Sequence, residues 1–151
     1  MTSANTLQAQ LAKLYRALAR GDLATWAAMH SDNVVFNVNG TTAVSGRTEG
    51  KQAMLLDILP RLFTRIKPDS ARIGINWKCM CAEGNRATVI FEGQSETLEG
   101  APYNNRYLHI LEFDSEGLIQ EVWEFFDTAL AENILFTAEQ KPPAGTANFR
   151  Y

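Results

Sequence analysis

The sequence predicts an α+β fold: a curved antiparallel sheet packed on three N-terminal helices, enclosing a pocket. Three observations carry this. Before the segment "KPDS" the apolar residues recur mainly at helical spacing. After it come four long strand-like runs separated by turn-forming clusters. A curved sheet of four to six strands cannot bury its concave face alone. Three helices can cover that face and leave space for a small molecule.

The first helix spans residues 6–20, where Leu7, Leu11, Leu14, Tyr15 and Leu18 share one apolar face. Gly21 stops it and Asp22 can cap a second helix over residues 23–30. Leu23, Trp26, Ala27 and His30 lie on one side of that helix, and "SDN" breaks it. "VVFNVNGTTAVSG" reads as a hairpin turning at Asn39-Gly40, a pair suited to positive φ. A third helix starts at about Thr48, a plausible cap, and runs through Met54, Leu55, Ile58 and Leu62. Pro60 should kink or end it locally. Arg47 and Glu49 flank this helix and are expected in solvent.

The strand runs are "ARIGINWKCMCA", "RATVIFEGQSETL", "YNNRYLHILEF" and "LIQEVWEFF". Gly84-Asn85, residues 99–102 and "DSEG" separate them, which makes an antiparallel meander. A short closing helix covers residues 128–136, with Asp127 or Thr128 as cap. Residues 138–151 have proline and glycine without periodicity and are expected as an irregular tail, so residues 1–137 form a single domain.

The last hairpin concentrates the polar groups. If "DSEG" is a four-residue loop, Phe113 pairs with Leu118, His109 with Val122 and Tyr107 with Glu124. Asn105, Tyr107, His109, Val122, Glu124 and Phe126 then share one face. Arg106, Leu108, Ile110, Glu112, Ile119, Glu121, Trp123, Phe125 and Asp127 share the other. A three-residue loop with a bulge at Gly117 would instead pair Glu124 with Leu108 and exchange the faces. Neither face is polar enough to be fully solvated. One packs under the helices; the other, with Leu108, Ile110, Trp123 and Phe125, suggests a homodimer contact.

Composition excludes several classes. Acidic residues number 17 against 14 basic, for a net charge of -3, and the basic residues are scattered, which argues against nucleic acid. No apolar run approaches a membrane span, and "MTSANTLQAQ" lacks the pattern of a signal peptide, so a cytoplasmic location is the expectation. Cys79 and Cys81, an i, i+2 pair on one strand face, have a backbone geometry that disfavours a bridge and lack partners for a metal site; they are expected as reduced thiols of the core or pocket wall. No P-loop, GxGxxG or serine-nucleophile pattern is present, and no cofactor or metal is expected.

"LYRALARGDLATWAAMHSDNVVFNVNG" and "YNNRYLHILEFDSEGLIQEVWEFFDTAL" resemble the SnoaL-like branch of the nuclear-transport-factor-2-like superfamily, over about residues 7–136. The resemblance implies a cone-shaped sheet wrapped on helices, a dimer through the sheet's outer face, and the register that turns Val122, Glu124 and Phe126 inward. The superfamily includes polyketide cyclases, ketosteroid isomerases and limonene-epoxide hydrolases. Carried over position by position, the isomerase's aspartate base falls on Val38, its oxyanion tyrosine on Leu14 and its neutral aspartate on His109. Steroid isomerisation by that route is therefore not expected. Of the epoxide-hydrolase set, Glu124 matches one carboxylate and Arg86 the arginine, while the second carboxylate falls near Thr88, so that triad is incomplete. What remains is an acid–base pair, Glu124 and His109, acting without a cofactor on an apolar, carbonyl-bearing ligand. Asn105, Tyr107, Phe126, Val122, Trp26, Val38 and Leu14 are the expected substrate contacts. The alternative is a non-catalytic ligand-binding or dimerisation module with the same fold, in which the polar cluster only fixes the core.

Overall fold

The structure is a computed structural model and describes residues 4–136. The expected tail, 138–151, lies outside the described residues. The domain is an α+β cone: a six-stranded sheet in the order β2-β1-β6-β5-β4-β3, curved and unclosed, with helices across its concave face.

Helix α1 (Ala4–Arg20) buries Leu7, Leu11, Leu14 and Tyr15 against β3 (Arg72–Glu83). The close approach depends on Gly74 in β3. Its φ is +90°, and an added Cβ would come within 3.0 Å of both Leu18 Cβ and the Tyr15 carbonyl oxygen. After Gly21, Asp22 caps α2 (Leu23–Ala28) by accepting from the Thr25 N–H at 3.0 Å. This helix is shorter than expected. The Met29 carbonyl accepts from the Ile119 N–H at 2.9 Å, and His30 already pairs with Ile119, so the sheet captures the chain before the helix can continue.

Strand β1 (His30–Val38) runs parallel to β6 (Ile119–Phe126) and antiparallel to β2 (Gly46–Glu49). The expected tight turn at Asn39-Gly40 does not form. Residues 39–45 make a longer loop, and β2 lies beyond the "TTAV" run. A side-chain network wins over the two-residue turn. Ser45 Oγ donates to the Asn39 carbonyl at 2.7 Å and accepts from the Thr42 N–H at 2.9 Å. Ala43 and Val44 are thereby turned to the interior. Arg47 and Glu49 stand on β2, both exposed as expected, and are joined by an ion pair at 3.0 Å.

The third helical segment starts at Gly50, φ +92°, without a side-chain cap; Thr48 is in β2. It has three parts: α3 (Lys51–Ala53), a π-helical turn (Met54–Ile58) and α4 (Leu59–Phe63). Pro60 sits in the first turn of α4 and does not end the helix. Proline lacks the N–H that a continuous α-helix needs. Here the wider turn, with the Leu59 N–H reaching the Met54 carbonyl, absorbs the mismatch just before it.

Strands β3, β4 (Arg86–Glu96), β5 (Pro102–Phe113) and β6 form the expected meander. The β5–β6 register is neither of the two expected. Phe113 pairs with Ile119, and a bulge at Gln120 moves the pairing on, so that Leu111 meets Val122 and His109 meets Glu124. Asp114 organises the turn by accepting from the Glu116 and Leu118 N–H groups, both at 2.9 Å. Relative to the four-residue loop, the longer turn and the bulge each shift the pairing by one residue. Two shifts restore the original facing, so the expected inward set stays on one face with different partners. Ile119 is the exception: it precedes the bulge and is fully buried on the core side. Helix α5 (Thr128–Ile134) is capped by Asp127, which accepts from the Leu130 N–H at 2.9 Å. It closes a second apolar cluster of Ala43, Ile66, Tyr103, Ala131, Leu135 and Phe136.

Candidate functional site

A cavity of about 140 Å³ opens between the helices and the concave face of the sheet. Its walls are almost wholly apolar, including Leu14, Leu18, Trp26, Phe36, Val38, Met54, Ile58, Leu62, Phe91 and Val122. Among the described residues, four polar side chains reach it: His30, Tyr107, His109 and Glu124.

The cross-strand pair His109–Glu124 is joined by a hydrogen bond of 2.6 Å from Nε2 to Oε2. On its other side, His109 Nδ1 lies 3.0 Å from the Tyr15 hydroxyl. Burial, followed by the nearby Glu124 carboxylate, holds the Tyr15 hydroxyl well above its ordinary pKa, so it stays a phenol and is able to donate to Nδ1. When Tyr15 donates, the imidazole proton lies on Nε2 and is directed at Glu124. Tyr15 is buried at the back of the site; Glu124, with 27% of its side chain exposed, is the open end of this hydrogen-bonded row.

Tyr107 stacks on Phe91 with ring centroids 5.0 Å apart. Burial keeps its hydroxyl protonated far above the usual range. Its oxygen lies 3.4 Å from the Tyr103 hydroxyl, which accepts in turn from Asn105 Nδ2 at 3.0 Å. Asn105 also bonds the backbone of Asp127 in both directions, donating to its carbonyl at 3.0 Å and accepting from its N–H at 3.2 Å. Asn105 is thus a brace for the junction of β6 and α5, and it does not line the cavity. Phe126 does not line it either: it packs with the second apolar cluster and against the Tyr107 ring. The other expected contacts, Tyr107, Val122, Trp26, Val38 and Leu14, all do.

One residue of the site, Tyr15, was not singled out by the sequence; His30, at the end of its helical pattern, could line the pocket mouth or only serve the helix dipole. Tyr15 has the spacing of a core helix residue, and its hydroxyl gives no local signal. His30 reads as a helix-end histidine but opens a strand. It is 3% exposed, with Nδ1 2.7 Å from the Trp26 carbonyl and its ring against Trp26 and Phe36. Burial pushes its imidazole down to about 4, so it is neutral at physiological pH. Arg86 is on the outer face, 2.7 Å from Glu112, so it cannot serve the cavity as an epoxide hydrolase's arginine would. Cys79 is half-buried against the core and Cys81 is exposed. Among the described residues, no three or more His, Cys, Asp or Glu side chains converge as a metal site. No helix among them is long and apolar enough to cross a membrane.

Comparison with known proteins gives the fold a family. Residues 11–122 match the SnoaL-like domain. No functionally curated protein matches the chain. Among solved structures, an NTF2-like protein of unknown function from Burkholderia pseudomallei superposes with a TM-score of 0.73 at 17% identity, covering 87% of this chain and 98% of that one. A proposed polyketide cyclase from Pseudomonas putida gives 0.67 at 18% identity, over 83% and 95%. TerC, co-crystallised with polyporic acid, gives 0.71 at 16% identity, over 87% and 98%. At such identities the likeness is one of fold.

Proposed function

The chain belongs to the SnoaL-like domain family, and from that premise we propose that it binds a small apolar, carbonyl-bearing molecule and moves a proton on it. The observation that carries this reading is the 2.6 Å Glu124–His109 pair on the wall of a mostly apolar cavity. Glu124 Oε2 is held by His109, while Oε1 is left to take a proton from a carbon next to the ligand carbonyl. Tyr107, kept as a phenol, donates to the carbonyl oxygen as enolate charge develops. Returning the proton to another carbon isomerises the ligand; attack by the enolate on a second carbonyl of the same molecule cyclises it. The dry walls strengthen both interactions. That one structural neighbour was crystallised with polyporic acid supports a ligand-binding role for this kind of cone.

The test needs no knowledge of the natural substrate. Exchange of the acidic C1 protons of 2-tetralone into deuterium oxide, followed by proton NMR, reads proton transfer directly. The wild-type protein should accelerate it, and Glu124→Gln should lower the rate by about 100-fold or more. Equal rates with the two proteins would refute the assignment.

We also propose that the chain forms a homodimer through the outer face of the sheet. Leu108, Ile110, Trp123 and Phe125 are only partly covered there, beside exposed Ile90. Charged pairs border them, Arg47–Glu121, Arg86–Glu112 and Arg106–Glu92, giving the apolar centre and polar rim of an interface.

A further inference from the structure

The proposed proton transfer does not use His30, yet this side chain is built into the cavity with care. Its Nδ1 faces the Trp26 carbonyl, which can only accept. The ring therefore carries its proton on Nδ1, and Nε2 is a bare acceptor. Trp26, at a centroid distance of 4.2 Å, and Phe36, at 5.5 Å, fix the ring plane. Lys51 fastens the backbone beneath it, donating to the carbonyls of Ala27 and His30, each at 3.1 Å. Nε2, on the opposite edge of the ring from Nδ1, has no hydrogen-bond partner among the described residues, and His30 lines the cavity. A free acceptor on a firmly held side chain that lines a cavity is suited to recognise a donor.

The sheet relates the floor residue that His30 touches to the strand position opposite Glu124. Val38 pairs with Glu124 in register, and Phe36, against which His30 rests, is two residues back on the same face of β1. The strand rise places these two points of the floor about 7 Å apart, close to the length of a fused two-ring aromatic. Among the described residues no lysine or arginine lines the cavity, so nothing there compensates a ligand carboxylate or phosphate.

We propose that His30 is a ligand-binding residue, accepting through Nε2 a hydrogen bond from a hydroxyl on an uncharged aromatic or polycyclic ligand whose other end meets Glu124. This rests on the ligand-binding reading of the cavity and narrows its substrate class to hydroxylated, uncharged ring systems. A site with an unpaired acceptor discriminates against analogues that lack the donor, because the acceptor is then buried without a partner.

Binding of three probes tests this: 2-naphthol, 2-methoxynaphthalene, which lacks the donor, and 2-naphthoate, which is anionic. At pH 7 the wild-type protein should bind 2-naphthol about tenfold or more tighter than either of the others, by fluorescence titration. His30→Phe keeps a ring of similar size, and the preference for 2-naphthol over the methyl ether should fall to about one. Glu124→Gln should retain it. In wild-type protein labelled with nitrogen-15 histidine, the His30 Nε2 resonance should move upfield with 2-naphthol and stay in place with the ether, a reading independent of how the variant folds. Equal affinity for naphthol and ether, no binding of either, tighter binding of naphthoate, or a preference lost in Glu124→Gln but kept in His30→Phe would each overturn the proposal. These readouts report binding alone, so they fail separately from the proton-exchange assay.

Discussion

His30 and Tyr15 show how burial sets the chemistry of single residues here. The unfolded chain titrates His30 near 6.5, while burial holds the folded imidazole at about 4 despite the opposing hydrogen bond to the Trp26 carbonyl. Between those values the unfolded state binds more protons than the folded one. Stability is therefore full above about pH 6.5, declines as the pH falls, and the loss saturates below about 4, at about 3 kcal/mol in total. Urea denaturation at pH 7 and at pH 4.5 should show this loss in the wild type relative to His30→Phe; parallel losses in the two would disprove the coupling. Tyr15→Phe keeps the ring contacts with Trp77 and Phe91 but leaves His109 Nδ1 without its hydrogen-bond partner. We expect a cost of about 1–3 kcal/mol in urea denaturation. The proton-exchange rate should fall less than in Glu124→Gln, since Tyr15 acts on Glu124 only through His109.

At the scale of elements, the hairpin and the 39–45 loop decide where those residues point. Glu124 faces the cavity because a five-residue turn and one bulge together move the β5–β6 pairing by an even number of residues. The sequence displayed the alternation and left two registers open. It could not display the bulge at Gln120, which depends on how β6 is held between β1 and β5. The loop fails to become a two-residue turn for a similar reason: the side chains of Thr42 and Ser45 and the inward demand of Ala43 and Val44 outweigh the local preference of Asn39-Gly40. Gly40 is still required, at φ +85°, where an added Cβ would stand only 2.6 Å from Thr128 Cγ2. Gly40→Ala should destabilise by about 2 kcal/mol. Adding Thr128→Ala should recover the steric part and not the backbone part. A double variant no more stable than Gly40→Ala, measured by thermal melts, would contradict this contact.

For the whole molecule, the consequence to test is assembly. If the outer face is a dimer contact, sedimentation of the wild type at micromolar concentrations should give a dimer mass, and Trp123→Glu should give a monomer with an unchanged far-ultraviolet circular dichroism spectrum. A monomeric wild type at high micromolar concentration would dispose of the dimer. The cone shape was implied by the family resemblance, while the α+β class was legible in the sequence, because the change from helical to alternating periodicity after residue 70 is a property of the chain. So were α1, the four-strand meander and the Asp127 cap, each set by local spacing or capping chemistry. The carboxylate–imidazole pair was legible as a shared face, since alternation along a strand fixes faces without fixing partners. The tertiary structure alone decided the rest: the contact of Tyr15 with His109, 94 residues apart, the parallel joining of β1 to β6, the removal of Asn105 and Phe126 from the cavity, and the choice between the two readings of His30. Each depends on which segments meet across the fold, and a local pattern of side chains carries no information about a neighbour that arrives from elsewhere in the chain.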